Sequence, residues 1–377
     1  MIYLDHHAAT PTDPRVLCAM DAARAQGWAN PASIHGPGRQ SRALLEQARQ
    51  HVAAAIGASP ADVVLTGGGT EACNLGVLGV VDSFPAASTV HVVASTIEHP
   101  AAAEPLRHCE SSGRATVSWF AVPAGRAPDA AALRACFTAD TRMLVVQWVN
   151  HETGTILPVQ AYAEACRSAG ALCIIDATQA LGKLPVNVAA LGADVLAFAA
   201  HKLGGPAGAG ALWVRRSVQL SPRMLGGAQE RGRRAGTPDV VAQVGFGLAC
   251  ELAAERVAAQ PRIAALRDAV ERGLRELGGL SNAADGARVA TVSNSSWRGW
   301  RGEALIAALD IEGIACSSGA ACSSGTSEPS RVLAAMYPDE AWRAGSALRL
   351  SFGVESTESD VESVLTALRR VVARPPA

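Results

Sequence analysis

Between residues 59 and 215 short apolar runs of strand length recur, each followed by a stretch whose apolar positions suit a helix. The runs are DVVLT (62–66), VHVVAS (90–95), TVSWFAV (116–122), RMLVVQWV (142–149), LCIIDA (172–177), DVLAFAA (194–200) and GALWVRR (210–216). Several are apolar throughout rather than alternating, as strands covered on both faces should be. EACNLGVLGVV, PAAAEPLRHCE and VQAYAEACRSAG predict helices between them. This alternation predicts an α/β domain around a mainly parallel, seven-stranded sheet. An Ala-rich helical region follows over roughly 239–278, and then a smaller α+β part. The latter comprises RVATVSNSSW, the helix GEALIAALDIEG, a Cys-bearing stretch, ALRLSFG and a last helix near 357–373.

Composition narrows the picture. Half the residues are apolar (49%), enough for a sizeable core, and 377 residues suffice for two domains. The 33 basic and 34 acidic residues nearly cancel, which argues against direct nucleic-acid or anionic-membrane binding. No uninterrupted apolar span reaches transmembrane length, and MIYLDHHAATPTDPRV lacks the features of a signal peptide. A cytoplasmic location is therefore expected. Nine cysteines, an odd number with no CxxC, suggest neither a disulfide framework nor a thiolate zinc site.

In an open α/β sheet, ligands collect at the carboxyl ends of strands, so the residues just beyond each run carry the candidate chemistry. Lys202 follows DVLAFAA directly; desolvated in a strand-end cleft it would be nucleophilic, and exposed it would be an ordinary loop lysine. Asp176 ends LCIID, where it either caps the next turn or meets a positive partner such as a protonated pyridine nitrogen. DVVLT runs into Gly67, Gly68, Gly69 and Thr70 at a helix start, which offers backbone N–H groups and a hydroxyl to a phosphate. His99, after VHVVAS, can lie against an aromatic cofactor or move a proton. Four such residues at four strand ends point to one site.

These motifs, in order, resemble those of the NifS/IscS-type cysteine desulfurases, pyridoxal-phosphate enzymes of the class V aminotransferase fold. The resemblance runs through IYLDHHAATPTDPRV, NPASIH, GGGTEACN, IEH, NHETG, DATQALGKLPV, HKLGGPAGAGAL, GGAQERGRRAGT, SSGAACSSGTSEPSRVL and LRLSFG. It implies a PLP-dependent transferase of fold type I, like aspartate aminotransferase. An N-terminal segment (1–15) would pack with the small domain, followed by a large cofactor domain (16–258) and a small domain (259–377) carrying the cysteine loop.

By the same resemblance Lys202 would hold pyridoxal 5'-phosphate as a Schiff base and Asp176 would face its ring nitrogen. Gln179 would bond the ring oxygen and His99 would stack on the ring, with His151 near the cofactor. Gly69, Thr70 and His201 would hold the phosphate, joined by Thr237 from the other subunit of a homodimer. Arg349 would clamp the carboxylate of L-cysteine, with Asn30 in another substrate-side loop. Cys322 would take the sulfur as a persulfide for a sulfur-acceptor protein, in iron–sulfur cluster assembly or tRNA thiolation. Two departures stand out: Ala199 replaces a phosphate-binding serine, and His151 replaces a common asparagine. The short C-terminus lacks the tail with which some members engage a scaffold. A selenocysteine lyase or another class V aminotransferase would share the fold and cofactor, and Cys322 separates these from a desulfurase because transamination needs no thiol. An inactive partner-binding homologue is countered by Lys202, Asp176, His99, Cys322 and Arg349 together. Cys316, six residues before Cys322, is expected to pack inertly.

Overall fold

The computed structural model describes residues 1–319 and 328–373. The seven apolar runs form one sheet: β1 (Val63–Thr66), β2 (Val90–Ser95), β3 (Ala115–Phe120), β4 (Thr141–Gln147), β5 (Leu172–Asp176), β6 (Val195–Ala199) and β7 (Gly210–Val214). The spatial order is β1-β7-β6-β5-β4-β2-β3. Only β7 runs against its neighbours, pairing antiparallel with both β1 and β6. Successive residues alternate between two cores: Val93 and Ile175 face one, Val92 and Ile174 the other. Both faces are therefore dry, which is why these strands read as continuous apolar runs rather than alternating ones. Some runs end earlier than the sequence suggests. TVSWFAV stops at Phe120 because a tight turn begins at Pro123, and RMLVVQWV stops at Gln147, after which Val149 bridges to Ile156.

Helices α1 (Pro14–Gln26) and α2 (Gly36–Ala55) precede the sheet. Around it lie α3 (Gly69–Val81), α4 (Pro100–Ser111) and α5 (Val159–Ala169), the last ending on left-handed Gly170. The expected helix over 239–278 is three pieces, α6 (Val240–Glu251), α7 (Ala253–Ala258) and α8 (Gln260–Glu276). Pro261 explains the second break, since it has no N–H to continue the ladder. A three-stranded antiparallel sheet follows, β8 (Leu280–Ser281), β9 (Val292–Ser296) and β10 (Ala347–Ser351), in the order β8-β9-β10. Helices α9 (Gly302–Ile311), α10 (Arg331–Met336) and α11 (Glu358–Val372) complete the described chain. Leu274, Leu309, Leu348, Val364 and Leu368 bury a third core there.

The N-terminal residues tie the small sheet to the large one. Ile2–Tyr3 pairs with Ile314–Ala315, and the Ser351 amide then donates to the Leu4 carbonyl. The chain next passes the end of the large sheet, where the Thr10 amide donates to the His201 carbonyl at 2.8 Å. Residues 5–10 thus run between β10 and the turn after β6. No helix among the described residues is long and apolar enough to cross a membrane.

Candidate active site

Because β1, β2, β4, β5 and β6 are parallel, their carboxyl ends share one edge, and a cavity of about 250 Å³ opens there. Its walls include Gly69, Thr70, His99, His151, Asp176, Gln179, Ala199, His201, Lys202 and Arg349. Residues read from separate motifs are thus brought into one space. Two are not: Asn30 and Thr237 are exposed and line no part of their own chain's cavity. Cys322 lies outside the described residues.

β6 delivers Lys202 through a single turn, Ala200–Lys202, closed by the Gly205 amide on the Ala200 carbonyl. Gly204 makes this turn possible. Its φ is +76°, and a Cβ there would lie 2.1 Å from Arg256 Nη2. The Lys202 amine donates to the carbonyls of His7 (2.7 Å) and Ala8 (2.9 Å), so the N-terminal segment holds the lysine.

Asp176 closes β5, and its Oδ1 accepts from the Thr178 amide at 2.9 Å. Near it lies the buried Cys73 thiol, which burial, reinforced by the charges of Asp176 and Glu98, raises well above its ordinary pKa. Glu98 is also buried; its Oε1 accepts from the Ser95 hydroxyl and its Oε2 has no partner among the described residues. Burial pushes Glu98 up to about 8. Two protonated groups, a thiol and a carboxyl, therefore sit near Asp176.

The raised Glu98 carries a stability consequence. A carboxyl whose folded pKa lies above 4.5 stabilises the fold most when protonated. That contribution is complete below about pH 4.5 and fades as pH rises through about 8. Glu98→Gln is expected to flatten this dependence and raise apoprotein stability at pH 8.5 by on the order of 3 kcal/mol, read from denaturant melts.

At α3 the N-cap is Gly68, with φ +148° and no side chain to satisfy the first amides. A Cβ on Gly69 would lie 3.0 Å from the Ala199 Cβ and 3.1 Å from Thr178 Oγ1, so glycine keeps this corner open. His99 caps α4, its Nδ1 accepting from the Ala101 amide at 3.0 Å. In the neutral ring the proton then sits on Nε2. Burial lowers the His99 pKa, against the pull of Asp176. Burial also takes His201 down to about 4, helped by Lys202 and Lys183. The His99 and His151 rings meet edge to face with centroids 4.8 Å apart, and His151 Nδ1 has no partner among the described residues.

Arg349, on β10, is 2% exposed. Its Nη2 donates to Asp5 at 2.7 Å and its Nη1 to the His151 carbonyl at 3.1 Å. Nε remains buried without a partner among the described residues. The two-pronged clamp expected from the sequence is thus already half committed within the chain.

Sequence reading assigned no role to several residues that build this site. His7 lines the cavity, and its ring bonds Thr291 Oγ1 at 2.8 Å and the His151 carbonyl at 3.1 Å. Lys183 donates to Gln179 Oε1 at 2.6 Å. Glu152, pushed up to about 7 by burial, accepts from the Ser330 hydroxyl, and a Cβ on Gly319 would lie 2.7 Å from its Oε2. It therefore touches described residues on both sides of the 320–327 stretch. The signal was present in LDHHAATP, DATQALGK and NHETG, whose polar residues sit in otherwise apolar surroundings.

The sequence pattern of the family Aminotransferase class-V matches residues 2–364. The chain belongs to the class V aminotransferase family. A relative in Mycobacterium tuberculosis, described as an IscS-like cysteine desulfurase, is 39% identical over 99% of this class V chain and 97% of its own. Among solved structures, one described as a NifS-like protein superposes with a TM-score of 0.91 at 30% identity, covering 99% of both chains. Another, described as SspA in complex with cysteine, has a TM-score of 0.82 at 27% identity, covering 95% of the class V chain and 100% of its own.

Cys316 can be placed beside this site. It packs partly buried against the small-sheet core, where burial pushes its thiol up to about 12. A thiol held protonated is a poor nucleophile. Cys316→Ala is expected to keep more than about half of any sulfur-releasing activity, since it removes only a small packing group. Loss of most turnover in that variant would give Cys316 a chemical role.

Proposed function

We propose that this class V chain is a cysteine desulfurase, converting L-cysteine to L-alanine and transferring the sulfur to Cys322. The observation that carries the reading is the convergence of Lys202, Asp176 and Arg349 on one cavity, in a chain whose relatives include a named cysteine desulfurase.

The residues present fit pyridoxal 5'-phosphate. Asp176 offers a carboxylate where a ring nitrogen would carry positive charge, and Gly69 leaves room at an uncapped helix start for a phosphate. Thr70 and His201 add side-chain donors, and Ala199 offers none. When bound, the cofactor supplies an electron sink for charge at the amino-acid α-carbon. Lys202 would hold it covalently, and His99, with its proton on Nε2, would lie against the ring. Lys202 is also placed to carry the α-proton once its amine is released. Arg349 keeps its Nε–H and the second N–H of each Nη for the substrate carboxylate.

In the sulfur transfer the Cys322 thiolate bonds to the substrate sulfur as the C–S bond breaks; the electron pair of that bond stays on the β-carbon, which takes up the proton lost from the substrate thiol. The products are alanine and a persulfide anion, and the balance needs no outside oxidant or reductant. Thr237, exposed and outside its own cavity, suits a homodimer in which it completes the other subunit's phosphate site. We take 16–258 as the large domain and 259–377 as the small one; the segment 1–15 packs first on the small domain, through Ile2–Tyr3, and then on the large one, through Thr10 and Asp13. A separate protein would accept the sulfur.

Purified protein given pyridoxal phosphate and L-cysteine is expected to form alanine. Pyruvate instead, or no product, would oppose the reading. L-selenocysteine in a parallel assay tests the lyase alternative.

A further inference from the structure

A second lysine stands behind the first. Lys183 is 7% exposed, and its amine donates to Gln179 Oε1 at 2.6 Å. That bond fixes the amide, because the oxygen end is taken by a donor and the nitrogen end must face the other way. Gln179 Nε2 accordingly donates to the His7 carbonyl at 2.9 Å, the same carbonyl that receives Lys202 at 2.7 Å. Lys183 and Lys202 also share the wall of a small cavity of about 30 Å³, together with His6, Arg256 and Gln260. Resting on the reading of the main cavity as a pyridoxal-phosphate site, we propose that Lys183 is a positioning residue for it. Lys183 fixes which end of the Gln179 amide faces the cavity, and its charge disfavours a proton on Lys202.

The surroundings of Lys183 support both roles. The cations acting on its amine are Lys202, Arg256 and Arg349. The rings of His6, His7 and His201 also feel its charge. Glu355 acts on His6 and Arg256, and Asp13 on Arg256. Burial first, then these cations, bring Lys183 down to about 7. The two lysines line one small cavity, where like charges oppose each other, so a proton on one disfavours a proton on the other. Lys202 must have an unprotonated amine to bond the cofactor, and a cationic neighbour favours that state.

Two variants separate the roles. Lys183→Met removes the bond and the charge, whereas Lys183→Gln keeps a donor for Gln179 and removes only the charge. The readouts are the dissociation constant of pyridoxal phosphate for the apoprotein and the pH midpoint of the bound cofactor's visible absorbance, both without cysteine. The midpoint is expected to rise by about one unit, a tenfold change in proton binding, in both variants. Cofactor affinity is expected to fall about tenfold in Lys183→Met and to stay near wild type in Lys183→Gln. An unmoved midpoint in both, or wild-type cofactor affinity in Lys183→Met, overturns the proposal. If Lys183→Met does not fold, the midpoint of Lys183→Gln decides alone. Wild-type protein that binds no pyridoxal phosphate would instead remove the reading on which the proposal rests.

Discussion

Lys202→Ala is expected to lose the cofactor's covalent attachment and to turn over cysteine at least about 10³-fold more slowly. The reason is where the amine sits. The turn after β6 places Lys202 in the wall of the cavity, and the carbonyls of His7 and Ala8 hold its amine there. Alanine at this position leaves those carbonyls and the cavity intact but removes the only lysine lining it among the described residues. The protein should still fold, since the lysine is not part of the buried apolar core. Absorbance spectra of the purified variant with added pyridoxal phosphate, before and after dialysis, check attachment; alanine formation checks turnover. A variant that kept a dialysis-resistant visible band would move the attachment to another amine. Lys183, the buried lysine of the cluster, would be the first to examine.

Cys322→Ala should separate the two halves of the chemistry. Cys322 is given no part in holding the cofactor, so the visible band of the bound cofactor and its response to cysteine should persist. Sulfur transfer should not, because no thiolate is left to accept it, and sulfide release should fall on the order of 10³-fold or more. Cys316 is no substitute: its thiol is held protonated by burial in the core of the small sheet. Sulfide assays with an added thiol reductant, run beside absorbance spectra, distinguish loss of transfer from loss of cofactor. Normal sulfide release from Cys322→Ala would contradict the assignment of the nucleophile.

Much of this site was legible in the sequence because it sits at strand ends. A continuous apolar run followed at once by Asp176, Lys202 or the Gly67–Thr70 turn marks both the strand and its functional edge. The parallel sheet then brings those edges together without further instruction. What escaped the sequence depends on contacts between distant segments. His7 reaches Lys202 across 195 positions, through a backbone carbonyl that no residue type reveals. Arg349 was readable as a cation on a strand, but its commitment to Asp5 required knowing that the N-terminal segment runs beside β10. Lys183 stands four positions after Gln179, in a turn rather than on a helix, so no periodicity marked the pair. The break at Pro261 was visible and outweighed by the Ala-rich run around it.

A single turnover of the wild-type protein tests the sulfur transfer itself. Holoenzyme is mixed with one equivalent of L-cysteine, alkylated and mapped by peptide mass spectrometry, while alanine is counted in the same sample. One added sulfur atom is expected on Cys322 for each alanine formed, located by fragmenting the peptide, which also contains Cys316. Alanine without sulfur on that peptide, or sulfur carried by Cys316 instead, would contradict the proposed transfer.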